Sequence, residues 1–270
     1  MLKIATFGKL QNVGCNFFGT MKKYLIFDFL HSDRQAISEK STLFFKEEFD
    51  KSKSVRDYTE EEITNWILNH DKRRHFFISK FFNEPHKILD FRGLKKPFTP
   101  DSGKPGDIDI LLFDLLRPNK SIAFECKRVK VQAINEGESK INGAHNIRQG
   151  IIQMNKYLEL GFSKVFLVIY LLHDGRQLKT PSTLHRIGKG DSVERLYNIP
   201  LNEGLKDEVG LVFFEIYQNT DKLIDHKYGV GICVDKEAKE TEQHTTTTEK
   251  LILEIKTAAN KIFAPGGVDV

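Results

Sequence analysis

Two apolar segments of the chain carry acidic residues and a lysine in a pattern that suits metal-dependent chemistry. Asp107 and Asp109 belong to the first segment, and Glu125 and Lys127 end the second. Side chains alternate across a strand, so the two aspartates share one face, and Glu125 and Lys127 share one face. Burying such charges costs several kcal/mol unless they pair with each other or bind a metal ion. The pattern therefore predicts a hairpin with an acid, acid, lysine cluster.

The residues between the two segments predict a turn, because Pro118 fixes φ. If residues 117–119 form a three-residue loop, Asp109 lies opposite Lys127, and the acids and the lysine meet on one side of the hairpin. The same alternation points Cys126 away from the charged face and into a core, where it behaves as a small apolar side chain.

This arrangement resembles the PD-(D/E)XK nuclease superfamily, in which one strand carries an acid and the next carries (D/E)-x-K; the resemblance covers residues 85–172. It implies that Asp109 and Glu125 bind a metal ion and that Cys126 offers its carbonyl oxygen. Lys127 would orient or deprotonate the attacking water. The implied cofactor is Mg²⁺, with Mn²⁺ as a substitute. The implied fold is an α/β core of the restriction-endonuclease type, with a central mixed sheet flanked by helices and with N-terminal helical additions.

A helix follows the second strand. Residues 144–161 have the apolar spacing of one helix face, and Gly161 is a suitable C-terminal stop. Gln153 and Tyr157 are similar to the Q-x-x-x-Y motif that follows E-x-K in RecB-type members of the superfamily, and Gln149 precedes them by one turn. The resemblance implies that Gln153 takes part in catalysis and that Gln149 and Tyr157 contact nucleic acid. The buried positions of this helix are predicted to be Ile147, Ile151, Met154 and Leu158.

The charge distribution favours a polyanionic substrate. The chain has a net charge of +4, and its cations are concentrated before and around the acidic cluster. A basic field around a metal-dependent acidic centre suits cleavage of a nucleic acid. We expect Arg128, Lys130 and Arg148 to contact that nucleic acid.

Several alternatives for the acidic residues stay open. Asp101, in a literal Pro-Asp pair, rivals Asp109 as the first carboxylate, and Asp107 is a further candidate. Asp109 is preferred because a strand holds a ligand more rigidly than a loop rich in Gly and Pro. In this superfamily an additional acid often comes from a helix before the first strand. The candidates for that acid are Glu61, Glu62 and Glu84.

The E-x-K tripeptide by itself carries no weight, because it recurs in this highly charged chain. It is also found at 138–140, 237–239 and 254–256. The first two lie in polar stretches, and the third lies in a helical pattern where positions i and i+2 do not face each other. Only Glu125 closes an apolar run that follows a second run with acids.

The remaining patterns predict the domain organisation. Residues 1–84 form a strand and helical region that packs on the core, with a helix at 33–49 and a capping box at Thr59 and Glu62. The nuclease core and its sheet extension span 85–235, a polar linker or loop spans 236–250, and an amphipathic helix with a tail spans 251–270. His173 and His244 are read as ordinary surface or loop residues, because they lack metal-ligand spacing.

The sequence predicts a metal-dependent nuclease that hydrolyses phosphodiester bonds, with DNA favoured over RNA, in restriction, defence against mobile DNA, or repair. The alternative is a catalytically silent nuclease-fold protein that binds nucleic acid or a partner subunit; a homo-oligomer fits either reading. The three cysteines show no disulfide or zinc spacing. Neither a signal peptide nor a membrane segment is evident, so the expected location is cytoplasmic and no membrane partner is expected.

Overall fold

A computed structural model describes residues 23–25, 55–69, 71–83, 88–94, 107–135, 138–174, 191–218 and 228–263. Within them the chain has an α/β fold with a mixed sheet flanked by helices. The predicted helix at 33–49 and the candidate acids Glu84 and Asp101 lie outside the described residues.

The elements alternate in a way that builds one sheet with helices on both faces. The strands are β1 (Lys23–Leu25), β2 (Ile88–Leu94), β3 (Ile108–Asp114), β4 (Ile122–Asn135), β5 (Glu138–Asn142), β6 (Lys164–Asp174), β7 (Gly210–Gln218) and β8 (Tyr228–Lys236). The helices are α1 (Glu60–Leu68), α2 (Asp71–Ile78), α3 (Ala144–Glu159), α4 (Asp191–Asn202) and α5 (Thr245–Phe263), and a 3₁₀ turn at Val55–Asp57 precedes α1.

The central strands are parallel and the outer strands are antiparallel. The strand order is β1-β8-β7-β6-β4-β3-β2, and β4, β6 and β7 run in the same direction. Along its other edge β4 pairs first with β3, up to Phe124, and then with β5, from Lys130 onwards. In the part of the chain that the structure describes, no strand pairs with this edge between those positions. We call residues 125–129 of β4, on this edge, the edge gap.

Two hydrophobic cores cover the two faces of the sheet. The first lies under α1 and α2 and includes Trp66, Phe77, Phe124 and Cys126. The second lies under α3, α4 and α5 and includes Val129, Ile151, Leu167 and Leu251. Because neighbouring residues of β4 belong to different cores, the alternation predicted for this strand is present.

Local signals in the sequence identified several element boundaries correctly. Thr59 caps α1, its side chain accepts from the Glu62 N–H, and the Glu62 carboxylate accepts from the Thr59 N–H, so the capping box is confirmed. Helix α3 ends at Glu159, and Gly161 follows with a φ of 72°, which supports the predicted stop.

Two predictions outside the site are wrong. Helix α5 begins at Thr245, inside the segment predicted as a linker or loop at 236–250, because Thr247 and Gln243 anchor its first turn to the carbonyls of Leu160 and Pro118. His173 is fully buried beside Glu215 rather than at the surface. Among the described residues, no helix has the length and apolar character needed to cross a membrane.

Candidate active site

The hairpin of β3 and β4 brings the predicted acids together in a register that differs from the expected one. Leu112 pairs with Ile122, which places Asp109 level with Glu125 rather than with Lys127. The connection is longer than three residues because Asp114 closes its own turn by accepting from the Leu116 and Arg117 N–H groups at 2.9 and 3.2 Å. The shift is two residues, so the predicted face is kept.

Asp109 reaches into the edge gap. Its Oδ2 accepts a hydrogen bond of 2.7 Å from the Cys126 N–H, in the place that the ladder would otherwise fill. A residue in a strand turns its N–H and C=O toward the same edge, so the Cys126 carbonyl faces the same gap. Burial raises the pKa of Asp109 to about 6, although the Cys126 hydrogen bond and the Lys127 charge oppose the shift.

Glu125 is the most deeply buried member of the cluster. The residue is 1% exposed, and its carboxylate forms an ion pair with the Lys127 ammonium. Burial, with a further contribution from the Asp109 charge, raises the pKa of Glu125 to about 8. Two neighbouring buried carboxylates of this kind resist ionising together, and a bound cation relieves that cost.

Tyr157 of α3 closes the cluster from the helix side. Its hydroxyl lies 2.7 Å from the Asp107 carbonyl and 3.3 Å from Oε2 of Glu125. The hydroxyl donates to both oxygens, which share its one proton. Its hydrogen bond to Glu125 favours the ionised carboxyl and lowers the pKa of Glu125, against the larger effect of burial.

Lys127 remains partly open to solvent, with a side chain 13% exposed. Burial lowers its pKa, but the charges of Glu125, Asp109 and Glu60 outweigh burial, and the net effect raises it. Lys127 is therefore an ammonium. Its stem fits under α3 at Gly150, where a Cβ atom would lie 2.8 Å from Lys127 Cγ and 2.7 Å from a Leu167 methyl.

Glu60 is a member of the site that the sequence analysis missed. The carboxylate of this first residue of α1 accepts a 2.8 Å hydrogen bond from the Arg128 N–H in the edge gap, and its charge adds to the shift at Asp109. Of the acids considered for this role, Glu61 is exposed and Glu62 is engaged in the capping box. The sequence signal for Glu60 was its position at a helix start. That signal is ambiguous, because an acid at this position stabilises the helix whether or not it belongs to a site.

The other predicted site residues lie on α3 and on the face of β4 opposite to Lys127. Gln153 is half-buried on α3 between Gly150 and Tyr157, and Gln149 is exposed one turn earlier. Arg148 is exposed on α3 and pairs with Glu203, with a 2.7 Å hydrogen bond. Arg128 and Lys130 leave β4 on the face opposite to Lys127, so they do not face the carboxylates, and the Arg128 guanidinium donates to the Tyr58 carbonyl. Leu158, predicted to be buried, is only partly buried.

The donor set suits a hard divalent cation. Asp109, Glu125 and the Cys126 carbonyl all offer oxygen, which Mg²⁺ prefers. The raised pKa values of the two carboxylates reflect a cost that a cation in contact with both would offset. No group of three or more His, Cys, Asp and Glu side chains in the described ranges already has the arrangement of a metal centre. Here both Glu125 oxygens are engaged, so metal binding requires Lys127 to release one of them.

Comparisons with known proteins leave the site to be judged on its own chemistry. No protein-family profile, curated protein or solved structure matches the chain. The resemblance to the PD-(D/E)XK superfamily therefore depends on the identity of the clustered residues and on the order of the elements that carry them.

Proposed function

We propose that the protein is a metal-dependent nuclease of the PD-(D/E)XK type, with a restriction-endonuclease-like core, and that it hydrolyses phosphodiester bonds in DNA. One observation carries the proposal: Asp109, Glu125 and Lys127 converge at the edge gap of β4 although burying them is costly. Structural ion pairs rarely repay such burial, whereas catalytic sites use it to tune pKa values.

Asp109, Glu125 and the Cys126 carbonyl are the proposed ligands of Mg²⁺, and Glu60, which accepts from the Arg128 N–H, adds negative charge nearby. When bound, the cation supplies Lewis-acid polarisation of the phosphoryl group and neutralises the repulsion between carboxylate and phosphate. A DNA substrate agrees with the basic balance of the chain, which has a net charge of +4.

The side chains around the ligands have separate roles. Lys127, as an ammonium, orients the attacking water and stabilises the negative charge that develops on the phosphoryl oxygens. Tyr157 holds Glu125 and the Asp107 backbone in place. Gln153, half-buried on the same helix, positions the nucleic-acid strand for in-line displacement.

The test is incubation of the purified protein with plasmid, single-stranded DNA and RNA, each with Mg²⁺, with Mn²⁺ and with chelator. The expected result is cleavage of DNA that requires the metal and stops in chelator. Ca²⁺ should support binding without turnover, since it prefers more ligands and a looser geometry than Mg²⁺. Cleavage that continues in chelator would exclude the proposed chemistry.

The second candidate is a silent nuclease-fold protein that binds nucleic acid or a partner subunit. The observation in its favour is that Lys127 and Tyr157 already engage both oxygens of Glu125. Calorimetric titration with Mn²⁺ separates the two candidates, because a silent protein should release little or no heat at this site. Heat that disappears in Asp109→Asn would favour the nuclease.

A further inference from the structure

The part of β4 beyond the edge gap forms, with β5, a two-stranded ribbon with two unlike faces. On one face Val129, Val131, Ala133 and Ser139 are buried against the core under α3. The other face carries Arg128, Lys130, Gln132, Lys140 and Asn142, which range from partly to fully exposed. The ribbon is therefore anchored by one side and presents a polar, cationic side.

Cross-strand pairing places these polar groups next to each other. Lys130 pairs with Asn142, and Gln132 pairs with Lys140, so each pair unites one lysine with one amide. Arg56 extends the row, since its Nη1 donates to Gln132 Oε1 at 3.2 Å. Glu138, the acid of the ribbon on this face, accepts from Asn135 at the far end. Arg56 also lies 3.9 Å from the Asp57 carboxylate and 4.0 Å from that of Asp174.

The cations on this face are close enough to repel each other. Burial and the charges of Arg128 and Arg56 lower the pKa of Lys130, against the opposing charge of Asp57. A crowded group of cations of this kind attracts a polyanion, and amide side chains beside it can read base edges.

We propose that the outward face of the β4–β5 ribbon enters the major groove of B-form double-stranded DNA and holds the duplex against the edge gap. This inference rests on the proposed nuclease function and names its substrate class. The major groove of B-DNA is about 12 Å wide and admits a two-stranded ribbon, whereas the major groove of A-form RNA is too narrow and deep.

The spacing along β4 agrees with that arrangement. A strand advances about 3.3 Å per residue, so Lys130 lies roughly 10 Å from Lys127 and Gln132 roughly 16 Å from it. The major groove is about 12 Å wide, so a ribbon inside it lies within that distance of both flanking phosphate backbones. Lys127 projects from the opposite face of the sheet, so a duplex on the ribbon reaches the edge gap at Arg128, whose side chain is on the outward face and whose N–H lies in the gap.

The test measures binding by fluorescence anisotropy in chelator, so that no cleavage occurs. The full-length protein is titrated into a duplex DNA of mixed sequence, the same sequence as duplex RNA, and one DNA strand alone. The ribbon variant is Lys130→Ala with Lys140→Ala. The control is Lys239→Ala with Lys256→Ala, which removes the same charge at two exposed positions away from the ribbon.

Wild type should bind duplex DNA more tightly than the other two probes. The ribbon variant should bind the DNA duplex about tenfold more weakly. The slope of its log affinity against log salt concentration should correspond to about two fewer phosphate contacts, and the control should change little. Lys130→Arg with Lys140→Arg should restore duplex binding. Thermal melting checks that each variant is folded.

Equal losses in the ribbon variant and the control, equal affinity for duplex RNA, or tighter binding of the single strand would each overturn the ribbon proposal. The outcome is independent of cleavage. Duplex binding that requires the ribbon, in a protein that cuts nothing with Mg²⁺, keeps the ribbon proposal and rejects the nuclease. Metal-dependent cleavage by a protein whose ribbon variant binds duplex DNA as tightly as wild type keeps the nuclease and rejects the ribbon proposal.

Discussion

Two glutamates are buried on the same face of the sheet, Glu125 on β4 and Glu215 on β7, each 1% exposed. Both contact a tyrosine hydroxyl from a helix, and both lie beside a basic side chain. The partners are Tyr157 and Lys127 for Glu125, and Tyr197 and His173 for Glu215. By composition the two clusters are alike.

Their surroundings are different. His173 is 0% and Tyr197 is 2% exposed, so the second cluster is enclosed. Lys127 keeps 13% of its side chain exposed, and Asp109 and Glu60 accept from backbone N–H groups in the edge gap beside it. Burial of a glutamate is therefore insufficient to indicate a site. What distinguishes Glu125 is a second carboxylate and an opening at a strand edge.

The largest expected effect separates the two glutamates directly. Glu125→Gln should reduce metal-dependent cleavage by more than about a hundredfold, because the proposed site would lose a charged metal ligand. Glu215→Gln should alter only the melting temperature. Single-turnover rates and thermal melting of both variants measure this. Equal losses of activity in folded samples of the two variants would remove the distinction.

The next effect concerns the packing of α3 on Lys127. Gly150→Ala places a Cβ atom 2.8 Å from Lys127 Cγ, so the lysine must move. We expect kcat to fall by roughly ten- to a hundredfold with little change in KM, since misplacement of a catalytic group raises the barrier. Ile152→Ala, at an exposed position of the same helix, is the control. Full activity in Gly150→Ala would show that Lys127 needs no fixed position.

Removing one hydroxyl from each cluster gives a smaller effect. Tyr157→Phe should lower kcat by about tenfold, because Glu125 and the Asp107 carbonyl lose their donor. Tyr197→Phe, which removes a 2.5 Å hydrogen bond to Glu215, should cost about 1 kcal/mol of stability and leave kcat unchanged. Steady-state kinetics and denaturant unfolding distinguish the two results. A lower kcat in Tyr197→Phe with an unchanged kcat in Tyr157→Phe would place the chemistry at the Glu215 cluster instead.

The smallest effect is a pH dependence of stability that comes from Asp109 and Glu125. Burial raises the pKa of Asp109 to about 6 and that of Glu125 to about 8, so the metal-free fold holds protons that the unfolded chain releases. The free energy of unfolding should therefore fall as pH rises toward 8. A cation that requires ionised ligands should restore it.

The rise in melting temperature on adding Mg²⁺ should consequently be larger at about pH 8 than at about pH 5.5. Differential scanning fluorimetry with and without Mg²⁺ measures it. Asp109→Asn should abolish the increase with pH, whereas Asp207→Asn, at an exposed position, should leave it intact. A stabilisation that is the same at both pH values would argue against metal binding by these carboxylates.

The sequence anticipated those parts of the site that depend on local periodicity. Alternation along the hairpin put Asp109, Glu125 and Lys127 on one face, and helical spacing put Tyr157 beside them. The register was wrong by two residues because Asp114 forms a turn that no simple loop rule describes. A shift by an even number leaves side chains on the same face, so the site survived this error.

The parts that depend on long-range packing could not be predicted. Glu60 reaches β4 only because α1 lies across the sheet edge, 68 residues away in sequence from Arg128. Gly150 has no local signal, since its importance comes from the Lys127 stem beneath it. His173 was predicted to be a surface residue because its buried partner, Glu215, belongs to a strand much later in the chain.

Under the proposed function, the E-x-K at β4 is catalytic and its copies elsewhere are not. The most direct test compares plasmid cleavage with Mg²⁺ by wild type, Lys127→Ala and Lys239→Ala, the last removing the lysine of another E-x-K at an exposed position. We predict that wild type and Lys239→Ala cut the plasmid at equal rates. Lys127→Ala should remain folded and should not cut it. Cleavage by Lys127→Ala at the wild-type rate, or no cleavage by wild type, would exclude catalysis by this motif.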